Sequence, residues 1–174
     1  MSSRIVIERI ATEEVLCASA TPEDLLLAES YGAASRRAES LAWRGIVRRE
    51  LGNEVVISYD EFGAPEVNIP DQYISVSHSR DYVAIALNAH QRIGIDIESW
   101  RDSLNSVREK FLTPQELAIY NTPNLLLQAW TAKEAIYKAA GITGLPLHDI
   151  NLPADPSSST ATVTASNNTH IFTL

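Results

Sequence analysis

Stretches with the periods of strands and of helices follow one another in this chain without regular alternation, and that order is the strongest constraint on its fold. Strands mixed irregularly with separate helices favour an α+β fold over a parallel sheet wrapped by crossover helices. Alternating residues mark strands at the start (Met1-Ser2-Ser3-Arg4-Ile5-Val6-Ile7), at Val55 to Tyr59, at Tyr73 to His78, at Tyr82 to Leu87 and at Ile93 to Glu98. Asp60 to Pro65 reads as a turn. Helix starts are written at Thr21-Pro22-Glu23-Asp24 and at Thr113-Pro114-Gln115-Glu116, the second with the spacing of a capping box. The apolar spacing predicts long helices over Ala34 to Leu51, capped by Gly52, and over about Leu125 to Ala140, ended by Gly141. Beyond Gly144, strands are expected at Leu145 to Leu152, Thr160 to Thr164 and His170 to Leu174, with a Pro/Ser-rich link at Pro153 to Ser159.

Composition narrows the class of function. The 174 residues suit one domain or two small lobes with a shared core, and 45 % apolar with 21 % charged residues describes a globular chain. No apolar run approaches the roughly 18 to 20 residues of a membrane helix. The opening residues lack the apolar core of a secretory signal, and Cys17 as the single cysteine excludes an internal disulfide. The expected location is the cytoplasm, without a membrane partner. A net charge of -8 argues against a nucleic-acid partner. Yet Arg36, Arg37, Arg44, Arg48 and Arg49 fall within fourteen positions. They read either as a local anion site or as a solvated helix face trimmed with Arg–Glu pairs.

Two acidic constellations carry the chemistry. In Ile93-Gly94-Ile95-Asp96-Ile97-Glu98, read as a strand, the isoleucines face a core and Gly94, Asp96 and Glu98 face the other way. Two carboxylates about 7 Å apart raise each other's pKa unless a cation relieves them, and Mg²⁺ is the natural relief where phosphates are present. Gly94 would leave room for a ligand to approach the backbone. The alternative is a strand edge with two solvated acids. In Trp130-Thr131-Ala132-Lys133-Glu134-Ala135-Ile136-Tyr137-Lys138, read as a helix, Trp130, Glu134 and Lys138 stand in one row, with Ala132, Ala135, Ile136 and Ala139 packed. Glu134 and Lys138 are either a surface ion pair or a third metal carboxylate with a cation for phosphate.

These two segments, in this order, closely resemble the paired signatures of the 4'-phosphopantetheinyl transferases. Ile74-Ser75-Val76-Ser77-His78-Ser79, Lys110-Phe111-Leu112-Thr113 with Glu116, Gly63-Ala64-Pro65, and Glu39-Ser40-Leu41 with Arg44 resemble further family segments, in family order. The resemblance runs from about Ile5 to about Leu152 and is closest to the surfactin-type branch. It implies two related α+β halves, here residues 1–92 and 93–174, with coenzyme A in the cleft between them and the metal site in the second. Asp96, Glu98 and Glu134 match the acids that hold Mg²⁺ (Mn²⁺ being the alternative ion), and Lys138 and Lys133 match lysines at the pyrophosphate. Ser77 and His78 match contacts to the phosphates of coenzyme A, and Arg44, with Arg37 as a second candidate, would reach the 3'-phosphate.

The implied reaction is attack by a serine of an acyl carrier protein, or of a carrier domain of a synthase, on the β-phosphate, with 3',5'-ADP leaving. Glu134 is the first choice of general base, directly or through a metal-bound water, with Glu98 and Glu116 as alternatives. Asp96 and Lys138 complete the expected catalytic set. Two departures stand out. Ala64 replaces the lysine common between the family's glycine and proline, and the C-terminal half is short. Two rivals are a metal-dependent nuclease or phosphodiesterase, against which the acidic balance counts, and a non-catalytic carrier-binding relative, which would be expected to have lost a metal acid. Arg48, Arg49, Arg101, Arg108 and Lys110 are the candidates for docking an acidic carrier.

Overall fold

The computed structural model describes residues 3–165 and 168–174, so Met1 and Ser2 of the first strand pattern lie outside the described residues. The chain divides into two compact units, Met1–Ile93 and Gly94–Leu174. Helices and antiparallel sheets in irregular order make it an α+β protein, as the order of periods predicted.

The first unit runs β1 (Arg4–Arg9), α1 (Glu13–Ser19), α2 (Pro22–Glu29), α3 (Ala34–Leu51), β2 (Ile57–Tyr59), β3 (Pro65–Val67), β4 (Tyr73–Ser79) and β5 (Tyr82–Asn88). Thr21 caps α2 by accepting the Asp24 N–H at 3.3 Å, and Pro22 takes the first helical position. α3 keeps its predicted bounds and stops at Gly52, whose φ of 110° lies outside the reach of most side chains. β1, β5 and β4 form an antiparallel sheet in that order, with Ser79 opposite Tyr82 across the short link. Ala42, Trp43, Ile46 and Val47, two adjacent pairs one turn apart on α3, pack on Ile74, Val83, Ile85 and Leu87 of that sheet. β2 and β3 form a hairpin over the expected turn, in which Asp60 Oδ1 accepts the N–H groups of Phe62 and Ala64.

The second unit begins with an irregular segment, then α4 (Asp102–Val107), a 3-10 turn at Arg108–Lys110, α5 (Pro114–Ile119), α6 (Pro123–Ala140), a 3-10 turn at Leu147–Asp149, β6 (Ile150–Asn151), β7 (Thr160–Ala165) and β8 (Asn168–Thr173). The capping box of α5 is complete: Thr113 accepts from the Glu116 N–H, and Glu116 accepts from the Thr113 N–H at 2.8 Å. α6 starts on Thr122 and Pro123 and ends on Gly141 in the left-handed region. One core gathers Leu104, Phe111, Leu112, Tyr120, Leu126 and Ala129; another gathers Ile136, Leu145, Ile150, Ala161 and Val163 beside the antiparallel β6-β7-β8 sheet.

Two expected strands are corrected. Ile93 to Glu98 forms no strand. Ile95 is buried, and Gly94 lies against the backbone of α6. Leu145 to Leu152 forms only the two-residue β6, because Pro146 opens a turn in which the Asp149 N–H donates to Pro146 O. Among the described residues no helix is long and apolar enough to cross a membrane.

Candidate active site

Gly94 fixes how the irregular segment meets α6. A Cβ on Gly94 would collide with the carbonyl oxygen of Ala135 and come within 2.8 Å of Ala139 N. The expected room for a ligand at Gly94 is therefore filled by the helix. This approach brings Lys138, one turn beyond Glu134 on α6, onto the segment. Lys138 Nζ donates to Asp96 Oδ1 at 2.8 Å and to Ile95 O at 2.9 Å. Among the described residues Lys138 takes Asp96 as its ion-pair partner, although Glu134 stands at the favourable spacing one turn before it.

Glu134 is the perturbed acid of the group. Burial, then the negative charge of Asp96, pushes its carboxyl above the ordinary 4.5, and Lys138 opposes the shift only in part. Glu98 points elsewhere: Oε1 accepts the Ser99 N–H at 2.8 Å and Oε2 lies 3.3 Å from Arg101 Nη2. Among the described residues no group of three His, Cys, Asp or Glu side chains is gathered to hold a metal ion. The three-acid arrangement expected of Asp96, Glu98 and Glu134 is thus not preassembled. The all-oxygen pair Asp96 and Glu134, whose repulsion a divalent cation would relieve, does fit Mg²⁺, which commonly uses one or two carboxylates and completes its shell with water and substrate phosphate.

Lys133, matched by the resemblance to a pyrophosphate lysine, is turned into the core of the second unit. Its side chain is fully buried, and Nζ donates to Glu116 Oε2 at 2.7 Å, Phe111 O at 2.7 Å and Leu147 O at 3.1 Å, which uses all three of its protons. Burial holds its pKa below 10.5 despite Glu116. Glu116 also accepts the Leu152 N–H at 2.9 Å, so both of its oxygens are engaged in the fold. Phe111 and Trp130 pack edge to face with centroids 5.0 Å apart.

In the first unit the arginine face of α3 turns onto α1 and α2. Arg44 Nε and Arg48 Nε donate to the two oxygens of Asp24 at 2.5 and 2.6 Å, with all three side chains buried. Burial alone would raise the Asp24 pKa, but hydrogen bonds from Arg48 and Arg44 hold it below 3.8. Arg37 donates to Glu13 at 2.9 Å, and Arg49 to Glu8 at 2.6 Å. Arg44 and Arg48 are therefore both held on Asp24 in a buried ion cluster. Ser77 is buried on β4. His78, its neighbour, lies between Arg36 Nη1 (3.2 Å from Nε2) and Glu39 Oε2 (3.4 Å from Nδ1). A guanidinium only donates, so a hydrogen bond from Arg36 requires His78 Nε2 as its acceptor.

The sequence profile of the 4'-phosphopantetheinyl transferase superfamily matches residues 92–173. The 4'-phosphopantetheinyl transferase AcpT of Escherichia coli is 31% identical over 145 residues, covering 76% of this chain and 73% of the relative. The chain belongs to the 4'-phosphopantetheinyl transferase superfamily. The 4'-phosphopantetheinyl transferase HetI of Nostoc sp. is 27% identical over 163 residues, covering 82% of this chain and 68% of that protein. AcpT of Salmonella typhimurium is 29% identical over 153 residues, with 79% and 74% covered. As a member of this superfamily the chain is an enzyme whose co-substrate is coenzyme A.

Sequence reasoning missed the partners of the buried charges. Asp24 was read only as an early helix acid, and nothing local in the sequence links it to Arg44 and Arg48. Lys133 was more legible. It is spaced with Leu126, Ala129 and Ile136 at three- and four-residue intervals, the buried stripe of α6.

Proposed function

We propose that this chain transfers the 4'-phosphopantetheine group of coenzyme A to a serine of an apo acyl or peptidyl carrier protein, releasing 3',5'-ADP. The observation that carries the reading is the Asp96–Lys138 pair with Glu134 one helical turn before Lys138, in a chain of this superfamily. In the reaction the serine Oγ bonds to the β-phosphorus, the bond to the bridging oxygen breaks, and the serine proton must be taken up. Glu134 is the base we favour, directly or through a metal-bound water. Lys138 would hold a pyrophosphate oxygen when it exchanges Asp96 for the substrate. Asp96 and Glu134 would hold Mg²⁺, with Glu98 joining after release from Arg101, and the bound ion supplies charge neutralisation on the pyrophosphate.

In the first unit, His78 with the exposed guanidinium of Arg36 beside it is the candidate to meet a coenzyme phosphate, with Ser77 and Arg37 as further candidates. Arg44 and Lys133 are better read as structural. Each unit packs one 18-residue helix with a three-stranded antiparallel sheet, which supports reading them as related halves. For the acidic carrier, Arg101, Arg108 and Lys110, gathered around α4 and the following turn, are the docking candidates. The cytoplasm remains the proposed location, supported by the single cysteine.

The test is intact-mass analysis of an apo carrier protein incubated with the chain, coenzyme A and Mg²⁺. A gain of one phosphopantetheine mass that EDTA abolishes supports the reading. Absence of any gain across several carriers, with coenzyme A still bound, would favour a non-catalytic carrier-binding protein.

A further inference from the structure

Two acids of the candidate site face cations of the same chain, and the two cations differ in exposure. Lys138 is held twice, by Asp96 Oδ1 at 2.8 Å and by Ile95 O at 2.9 Å. Arg101, at the N-cap of α4, is 52% exposed, and its Nη2 lies 3.3 Å from Glu98 Oε2. A half-exposed guanidinium can leave a single carboxylate contact with little change of backbone, and a diphosphate offers it a better, bidentate partner. Arg101 and a divalent ion would compete for the same oxygen, Glu98 Oε2.

We propose that Arg101 is a positioning residue that keeps Glu98 out of the metal shell until a diphosphate draws the guanidinium away, so that the divalent ion and coenzyme A bind cooperatively. The inference rests on the assignment of the ion to Asp96 and Glu134 made above. When Arg101 turns to the diphosphate, Glu98 becomes the third carboxylate for the ion. By reciprocity the ion then tightens coenzyme A by the factor with which coenzyme A tightens the ion.

The experiment is titration of the intact chain with Mn²⁺, reading the free ion by electron paramagnetic resonance, with and without coenzyme A. Wild-type protein should bind Mn²⁺ several-fold more tightly when coenzyme A is present. Arg101→Gln should tighten Mn²⁺ in the absence of coenzyme A by about two- to five-fold, the range of an exposed ion pair, and reduce the coupling. Arg101→Lys, which keeps the competing charge, should behave closer to wild type. In a Glu98→Gln background the gain from Arg101→Gln should vanish, which separates competition for Glu98 from a general loss of positive charge. An unchanged or weakened Mn²⁺ affinity in Arg101→Gln, or a gain that persists without Glu98, overturns the inference. Equal Mn²⁺ affinity with and without coenzyme A overturns it while leaving the metal assignment standing. Failure of wild-type protein to bind Mn²⁺ even with coenzyme A overturns both.

Discussion

Gly94 lies so close under the carbonyl of Ala135 that no β-carbon can be placed there. The neighbouring atoms are all helix backbone, which cannot rotate away as a side chain can. Gly94→Ala should therefore cost at least the usual overpacking penalty of about 1–3 kcal/mol. It should also push Asp96 away from Lys138. A lower urea midpoint together with a lower kcat for transfer is expected. An unaltered midpoint would show that the segment is not pinned to α6.

Lys133 tests whether burial outranks motif. Lys133→Met leaves Glu116 without its buried counter-charge, and such losses cost about 3–5 kcal/mol. Adding Glu116→Gln should recover much of that, since an uncharged amide can still accept one of the two backbone hydrogen bonds. The double variant, once folded, should retain most transfer activity. Loss of coenzyme A affinity in a stable double variant would return Lys133 to the phosphate site.

Glu134 makes stability depend on pH in an unusual direction for a carboxyl. Its folded pKa is raised above 4.5, so the native state binds the extra proton between the two values and stability falls as pH rises through that window. With EDTA present, Glu134→Gln should melt at a temperature close to wild type below pH 4.5 and above it at higher pH. The same substitution should lower kcat by about 10²- to 10⁴-fold if Glu134 is the base. Stability without activity is the combination to look for.

Asp24 has the opposite sign. Its folded pKa lies below 3.8, so its contribution is present above that value and is lost as pH falls through the folded pKa. Asp24→Asn should destabilise the chain by about 3–5 kcal/mol near neutrality, because two buried guanidinium groups lose their counter-charge. The gap between wild type and variant, followed by denaturant unfolding, should narrow in strong acid.

Local signals made much of the fold legible. The Thr-Pro starts, the Thr113–Glu116 box and the glycine stops define α2, α3, α5 and α6, because caps are written within four residues of sequence. The segment Ile93 to Glu98 has the period of a strand, but the period does not say that Gly94 meets the backbone of α6. The site was legible as residue types at the right spacing. Which cation each acid takes was not, because Asp96 with Lys138, and Asp24 with Arg44 and Arg48, are contacts across more than twenty residues or close to it that only the folded chain brings together.

The Glu116 carboxylate also has a kinetic consequence. Its Oε2 receives the Thr113 amide and its Oε1 the Leu152 amide, while Lys133 neutralises it from α6. Two amide protons from distant parts of the sequence are thus guarded by one side chain. Deuterium should enter both only when that side chain lets go, so Thr113 and Leu152 should exchange at matched rates and report a single opening of the second unit.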